Sequence, residues 1–251
     1  MLGFGLNLVL KNNVGGFTLK SVSSLLHWYT FNTGQTINTG LTPNRISAWA
    51  DQKGSNNLTQ STQNLQPTIT NGILDFTSSA AQLVNDSDIS LTSFTIILVV
   101  KTNFNVDTIL GNLDVNGVLL RFGQTNEDDK VRLQFDVTDG GHGINSFDLE
   151  ADSDFPIDTK FVFSIARNAS ANTVKMFENT TQKFSDNLVS TAGNNAGNSP
   201  LVIDKIGSHG TQQNAFSDEV SEYVIFNQDL TQNMSEFTKV INDIKSRNSI
   251  S

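Results

Sequence analysis

Catalytic chemistry in this chain would have to come from paired carboxylates, and one stretch offers them: Asp218-Glu219-Val220-Ser221-Glu222. Hydrolysis of a glycosidic bond needs two carboxyl groups about 5 Å apart for retention, or roughly 6.5–9.5 Å apart for inversion. Side chains two apart share one face of a strand, so Asp218 and Glu222 lie on one face and Glu219 on the other. The position between them holds valine instead of an acid. We therefore predict no catalytic residue and expect a protein that is not an enzyme.

Acidic segments could instead hold calcium, which prefers carboxylate and carbonyl oxygens as ligands. Acidic loops are predicted at residues 85–88, 127–129 and 148–158, and none of them has the spacing of an EF-hand. Solvated loops are the simpler interpretation of all three. The first loop precedes an apolar strand, so Asp86 and Asp88 are the residues to which we would assign calcium. No other cofactor is expected.

The remaining composition excludes several other kinds of site. The chain has no cysteine, and its histidines, His27, His142 and His209, are far apart, so neither disulfides nor a zinc site is expected. A formal net charge of −9 and the lack of a lysine or arginine cluster argue against nucleic acid as a partner. No apolar run approaches the roughly 18 residues of a membrane span, and the N-terminus lacks the basic region of a signal peptide.

The elements that position these residues are predicted to be strands. In the run from Lys160 to Arg167, Phe161, Phe163 and Ile165 occupy alternate positions and would face one side of a strand. The residues between them, which would face the other side, are also apolar or small. A second run, residues 173–177, follows after the turn formers of residues 168–172. Because both faces of this hairpin are apolar, each face needs cover, which indicates a stack of two sheets.

Similar runs continue along the chain at spacings typical of a sandwich rather than of βαβ units. We predict strands at residues 94–101, 108–111, 118–122 and 131–137. Near the C-terminus, a helical stripe follows, for which Thr231 or Ser235 is the predicted cap. The stripe consists of Met234, Phe237, Val240, Ile241 and Ile244.

A fixed order of short motifs follows the aromatic strand of residues 25–32. The segment Trp49-Ala50-Asp51-Gln52-Lys53-Gly54 comes first, then Gln66-Pro67-Thr68, and then a short strand that ends at Phe76. In this order the chain resembles concanavalin A-like, laminin G-like jelly rolls, and the likeness extends from Leu25 to Arg247. It implies an all-β fold, a two-sheet antiparallel β-sandwich over residues 25–251 with one C-terminal helix.

The resemblance also implies roles for single residues. Lectin sites usually need an exposed Trp or Tyr beside Asp and Asn, and the chain has only two Trp and two Tyr against 17 Phe. Trp49 and Tyr29 could stack on a sugar, but they stand where relatives have core residues. Glu222 stands at a position that is commonly acidic in noncatalytic relatives, which implies a structural hydrogen-bond acceptor.

Residues 1–24 lie outside the resemblance and are predicted to form an N-terminal arm. Leu2, Phe4, Leu6, Leu8 and Leu10 share one parity, which is the alternation of a strand. This apolar face must be buried, either on another subunit or as an edge strand of its own domain. These five residues are therefore the predicted anchoring residues of the arm.

A cysteine-free, Asn-rich chain of this type with a Met-Leu-Gly-Phe-Gly-Leu start resembles structural proteins of tailed bacteriophages, especially marine ones. The resemblance implies a non-enzymatic virion protein, a capsid decoration or a tail or fibre component. Other virion proteins and further copies of the chain would be its partners, with the arm holding it in place. The alternative is a lectin-like, carbohydrate-binding adhesion module for a host glycan, and a third interpretation is a glycoside hydrolase.

Overall fold

Antiparallel strands make up most of the structure, a computed structural model that describes residues 17–31, 33–77, 80–103, 107–112, 119–124, 127–134, 146–147, 155–187, 200–208 and 216–251. In chain order the strands are β1 (Leu25–Thr30), β2 (Gln35–Asn38), β3 (Arg45–Trp49), β4 (Leu58–Thr59), β5 (Thr68–Thr70), β6 (Ile73–Asp75), β7 (Leu83–Leu91), β8 (Phe94–Lys101), β9 (Asp107–Gly111), β10 (Leu119–Gln124), β11 (Glu127–Gln134), β12 (Ser146–Phe147), β13 (Phe161–Asn168), β14 (Thr173–Glu178), β15 (Thr181–Asn187), β16 (Leu201–Ile206) and β17 (Glu219–Phe226). An α-helix, α1 (Met234–Arg247), follows the last strand. Short 3₁₀ turns lie at Leu19–Ser21, Gln63–Leu65 and Leu230–Gln232.

The strands form two layers. The first sheet has the order β1–β17–β8–β13–β14–β15. The second sheet has the order β2–β3–β4–β7–β16–β9–β10–β11–β12. Strands β5 and β6 connect the layers, because β5 pairs with β3 and with β6, which in turn pairs with β17. The hydrogen-bonded surface is thus continuous, and it curls into the predicted two-sheet antiparallel jelly roll.

The central strands of the first sheet are apolar along their whole length because both of their faces are covered. In β8 and β13 every residue is buried except the last one. Phe163 of β13 and Tyr223 of β17 pair with Leu98 of β8 from either side, which places β8 in the middle of the sheet. A strand with cover on both faces has no solvent side, and its sequence therefore shows a continuous apolar run.

Two apolar clusters cover the two faces of the first sheet. Phe161, Phe163 and Ile165 point into the core between the sheets, whereas Val162 belongs to a second cluster. This second cluster lies between the first sheet and α1, and it also contains Leu19. The hairpin prediction was therefore correct in its strands and its parity. The outer face, however, is covered by a helix and a terminal segment instead of a further sheet.

Helix α1 differs from the prediction at its start. Phe237, Val240, Ile241 and Ile244 are buried as expected, but Met234 is 45% exposed. The cap is neither Thr231 nor Ser235, because the chain enters the helix through the 3₁₀ turn Leu230–Gln232. Asn233 is therefore the N-cap residue of the helix. Its side-chain oxygen accepts a hydrogen bond from the Glu236 N–H at 3.3 Å.

The end of the predicted arm packs on the sandwich. Leu19 and Val22 are buried beside α1, and Phe17 packs against the same cluster. The predicted anchoring residues Leu2, Phe4, Leu6, Leu8 and Leu10 lie outside the described residues, so the docking of the arm stays a prediction. Among the described residues, no helix is both long and apolar enough to cross a membrane.

Candidate functional site

Trp28 occupies the edge strand of the first sheet. Strand β1 pairs with β17 on one side, and on its other side the chain after β3 folds against it. The Gln52 N–H donates to the Trp28 carbonyl at 2.7 Å, and the Trp28 N–H donates to the Asp51 carboxylate at 3.0 Å. Tyr29 is fully buried in the core between the sheets, whereas Trp28 faces outward and is only half-buried. The indole ring is therefore held by its backbone and still partly open to solvent.

A groove of about 360 Å³ runs along this ring, between the segment that precedes β1 and the C-terminal half of α1. We call it the Trp28 groove. It is lined by Phe17, Thr18, Leu19, Lys20, Trp28, Asp243 and Arg247. Its walls thus combine two aromatic rings and one aliphatic side chain with a threonine, two cations and a carboxylate.

Two cations approach the Trp28 ring. The Lys20 ammonium lies 5.6 Å from the ring centroid, and the guanidinium carbon of Arg247 lies 5.2 Å from it. Both distances are in the range of cation–π attraction, since the faces of the indole ring carry negative potential. Arg247 also donates from Nη1 to the Asp243 carboxylate one helical turn earlier. The polar groups of the groove therefore converge on one ring.

Glu222 holds two residues of the groove wall, Trp28 and Arg247, in place. Its carboxylate is fully buried and accepts hydrogen bonds from three side chains. Trp28 Nε1 and Arg247 Nη2 each donate to Oε1 at 2.7 Å, and Asn248 Nδ2 donates to Oε2 at 2.5 Å. Glu222 thus joins β1, β17 and the end of α1. It is a structural hydrogen-bond acceptor in this structure, as the resemblance implied.

The carboxylate of Asp51 anchors the chain that supports β1. His27 Nδ1 lies 2.7 Å from Oδ2, and the backbone N–H groups of Trp28 and Lys53 donate to Oδ1 at 3.0 and 2.9 Å. Burial raises the pKa of the Asp51 carboxyl, but these hydrogen bonds lower it more, to about 2. A Cβ atom on Gly54 would come within 2.7 Å of Oδ2, so the close approach requires glycine at this position of the motif.

The acidic side chains of residues 218–222 each have partners of their own. Thr102 Oγ1 and the Asn103 N–H donate to the Asp218 carboxylate at 2.7 and 3.0 Å. Burial raises the pKa of Asp218 and these hydrogen bonds lower it in part, with a net upward shift. Glu222 is occupied by its three donors beneath Trp28, and Glu219 pairs with Lys101 at the surface at 3.7 Å. The three acids therefore belong to three separate structural contacts.

The predicted calcium residues do not lie in a loop. Asp86 and Asp88 are exposed positions inside strand β7, and residues 127–129 likewise belong to strand β11. Strand β7 forms because Leu83, Ile89 and Leu91 are buried in the core. Asp86 accepts a hydrogen bond from the Asn57 N–H at 3.2 Å. In the part of the chain that the structure describes, no three His, Cys, Asp or Glu side chains are grouped to hold a metal ion. Calcium binding stays a prediction.

The two aromatic residues considered for sugar stacking are core residues, as the resemblance implied. Trp49 and Tyr29 are fully buried, with their ring centroids 5.8 Å apart, as expected from their core positions. The Trp49 indole N–H donates to the Thr30 carbonyl at 2.9 Å, and Tyr29 stacks on Tyr223. Trp28 was missed, although strand alternation contains the signal. Since Tyr29 points inward, its neighbour in the same strand must point outward.

No protein-family model and no curated protein matches the chain. Solved structures match it at low sequence identity. The binding domain of Paraclostridial Mosquitocidal Protein 1 is similar with a TM-score of 0.57 and 14% identity over 90% of this chain and 53% of that one. Domain 4 of a GH43 extracellular arabinanase from Geobacillus stearothermophilus, solved in complex with arabinotriose, has a TM-score of 0.52 and 16% identity over 87% of this chain and 98% of that one.

The sialidase of Trypanosoma rangeli, solved in complex with sialic acid, has a TM-score of 0.52 and 12% identity over 87% of this chain. This chain spans only 32% of that enzyme. At such identities the likeness concerns the fold alone. The chain folds as an all-β jelly roll. The predicted fold class is confirmed, and the matched structures are consistent with its concanavalin A-like type.

Proposed function

We propose that the protein binds a carbohydrate in the Trp28 groove and does not catalyse a reaction on it. One observation carries this proposal. The half-buried Trp28 ring lines a groove of about 360 Å³ into which Lys20, Asp243 and Arg247 also project. The groove has the size of the smaller small-molecule sites, which are roughly 300–1,000 Å³ in volume.

The chemistry of the groove suits a sugar ring. A sugar has an apolar face of C–H groups, which can pack on an aromatic ring, and hydroxyl groups at its edge. Asp243 can accept hydrogen bonds from such hydroxyls, and Lys20 and Arg247 can donate to them. An aromatic surface with a few fixed polar groups is the usual composition of a ligand site, in which the polar groups orient the ligand.

The matched structures support this proposal more than they support a virion role. One of them is a domain solved with arabinotriose and another is a sialidase solved with sialic acid, so structures of this fold occur in carbohydrate-related proteins. Location in a phage virion and partnership with virion proteins stay predictions of the sequence resemblance. Glycoside hydrolysis is the weaker alternative, because Glu222 is buried and occupied by three donors.

A glycan array probed with the full chain tests the proposal, in the presence and absence of Ca²⁺. We expect selective binding by the native protein and loss of binding by Trp28→Ala. Ile157→Ala is the matched control, because Ile157 is 54% exposed and is not among the residues that line the groove. Thermal unfolding of each variant shows whether it is folded.

Two results would contradict carbohydrate binding in the Trp28 groove. The proposal is wrong if the native chain binds no glycan under either condition, or if folded Trp28→Ala binds as well as the native chain. Trp28→Phe gives a second test when Trp28→Ala is unstable. It keeps an aromatic face but removes the indole N–H that donates to Glu222, so we expect it to retain part of the binding.

A further inference from the structure

The charged side chains that line the Trp28 groove differ in whether they have an ionic partner. Arg247 donates to two carboxylates, those of Asp243 and Glu222. Asp243 is in turn occupied by Arg247. Lys20 has no carboxylate partner among the described residues, and its ammonium faces the Trp28 ring at 5.6 Å. A ligand in the groove therefore meets one positive charge that no carboxylate of the described residues neutralises.

This charge distinguishes between neutral and acidic ligands. A neutral sugar that covers Lys20 removes water from the ammonium and offers only hydroxyl groups in return, and desolvation of an unpaired charge is unfavourable. A carboxylate on the sugar would replace that water with a charge-assisted hydrogen bond, which is roughly twice as strong as a neutral one. A site that desolvates a polar group discriminates against ligands that lack its partner.

The charge of the whole molecule cannot produce the same preference. The chain has a formal net charge of −9, so its overall field repels an anionic ligand. Attraction of an acidic sugar must then come from contact at short range, where Lys20 acts within the groove. A substitution at Lys20 should consequently have a larger effect than the loss of one positive charge elsewhere on the surface.

We infer that the Trp28 groove selects sugars that carry a carboxylate, and that Lys20 is the specificity-determining residue. The inference rests on the proposed carbohydrate binding at the same groove. Trp28 would supply the contact that all sugars share, and Lys20 would pair with the acidic group. Two kinds of sugar provide this group, the uronic acids and the sialic acids, and the structure favours their shared chemistry.

Isothermal titration calorimetry of the full chain with two matched ligand pairs tests the inference. The first pair is trigalacturonate and its methyl ester, and the second is 3′-sialyllactose and lactose. Within each pair the sugar framework is kept while the carboxylate is masked or missing. We expect the acidic member of at least one pair to bind about ten-fold more tightly or better, the effect of one hydrogen bond to a charged group. The pair that shows the difference identifies the source of the carboxylate.

Lys20→Gln should abolish this difference, because it weakens the binding of the acidic member much more than that of the neutral member. Lys239→Gln is the control, because Lys239 is exposed on α1, does not line the groove and carries the same charge. The inference is overturned if both members of each pair bind equally, or if the preference survives in Lys20→Gln. Neither result contradicts the proposed function. That proposal fails only if no sugar binds or if Trp28→Ala leaves binding intact.

Discussion

Glu222 illustrates how one buried carboxylate determines the local structure. It is fully buried and accepts hydrogen bonds from Trp28, Arg247 and Asn248. We expect Glu222→Ala to lower the free energy of unfolding by about 2–4 kcal/mol, because the buried Asn248 and the partly buried Trp28 and Arg247 all lose their acceptor. Urea denaturation measures this loss.

Glu219 provides the matched control in the same strand. It pairs with Lys101 at 3.7 Å, and both side chains are about 40% exposed. Glu219→Ala should therefore change the free energy of unfolding by less than about 1 kcal/mol. Equal losses for the two variants would contradict the structural role of Glu222.

Asp51 makes the stability of the protein depend on acid pH. Its pKa is lowered to about 2 in the folded chain, below the value of about 3.9 that an aspartate has when unfolded. A group whose folded pKa is lowered stabilises the fold above its unfolded pKa, and this stabilisation is lost as the pH falls towards 2. We expect Asp51→Asn to weaken the pH dependence of unfolding between about pH 4 and pH 2, as measured by denaturation at a series of pH values.

An exposed aspartate shows what a general charge effect would look like. Asp88→Asn removes one negative charge at an exposed position of β7 and is the control for this effect. A similar slope for native protein and Asp51→Asn would show that the hydrogen bonds from His27 and the backbone do not stabilise the Asp51 carboxylate.

At the level of elements, α1 acts as the cover of the first sheet. Ile241 is fully buried between the helix and the sheet, whereas Met234 on the same helix is 45% exposed. We expect Ile241→Ala to lower the free energy of unfolding by about 2–4 kcal/mol, through lost burial and the cavity left behind. Met234→Ala should cost less than about 0.5 kcal/mol. Chemical denaturation of the two variants compares them, and similar losses would mean that the helix does not cover the sheet.

Strands with a strong local pattern could be predicted closely from the sequence. The prediction for residues 94–101 coincides with β8, and the hairpin prediction agrees with β13 and β14 within one residue. Apolar runs and turn formers are local signals, so no distant contact is needed to interpret them. Residues 85–88 were misjudged as a loop because their charges dominate the local pattern. They belong to a strand because β4 and β16 pair with it from either side.

The candidate site could not be predicted from the sequence because its residues come from distant parts of the chain. Trp28 and Glu222 are 194 positions apart in the chain and still form a hydrogen bond. Arg247 approaches the same ring from the C-terminal helix, and Lys20 approaches it from a 3₁₀ turn. Alternation within β1 can indicate that Trp28 faces outward. The charged neighbours of the ring, however, depend on the packing of three distant elements.

At the scale of the whole molecule, symmetric association of copies stays a prediction. It was derived from the resemblance to virion proteins and from the apolar alternation of residues 2–10, which lie outside the described residues. Light scattering on the full chain measures its mass in solution. A defined oligomer that becomes a monomer when residues 1–16 are deleted would support an arm that docks on a neighbour. A monomer in both cases would leave the arm as part of its own domain.

The contrast between the two tryptophans gives the protein a pair of intrinsic fluorescent reporters. Trp49 is completely shielded in the core and should emit at short wavelength, whereas the half-buried Trp28 meets water and should emit further to the red. Iodide, a collisional quencher, should reach the red component selectively. Ligand occupancy would then change one spectral component and global unfolding would change both, so the two events can be followed separately without any label.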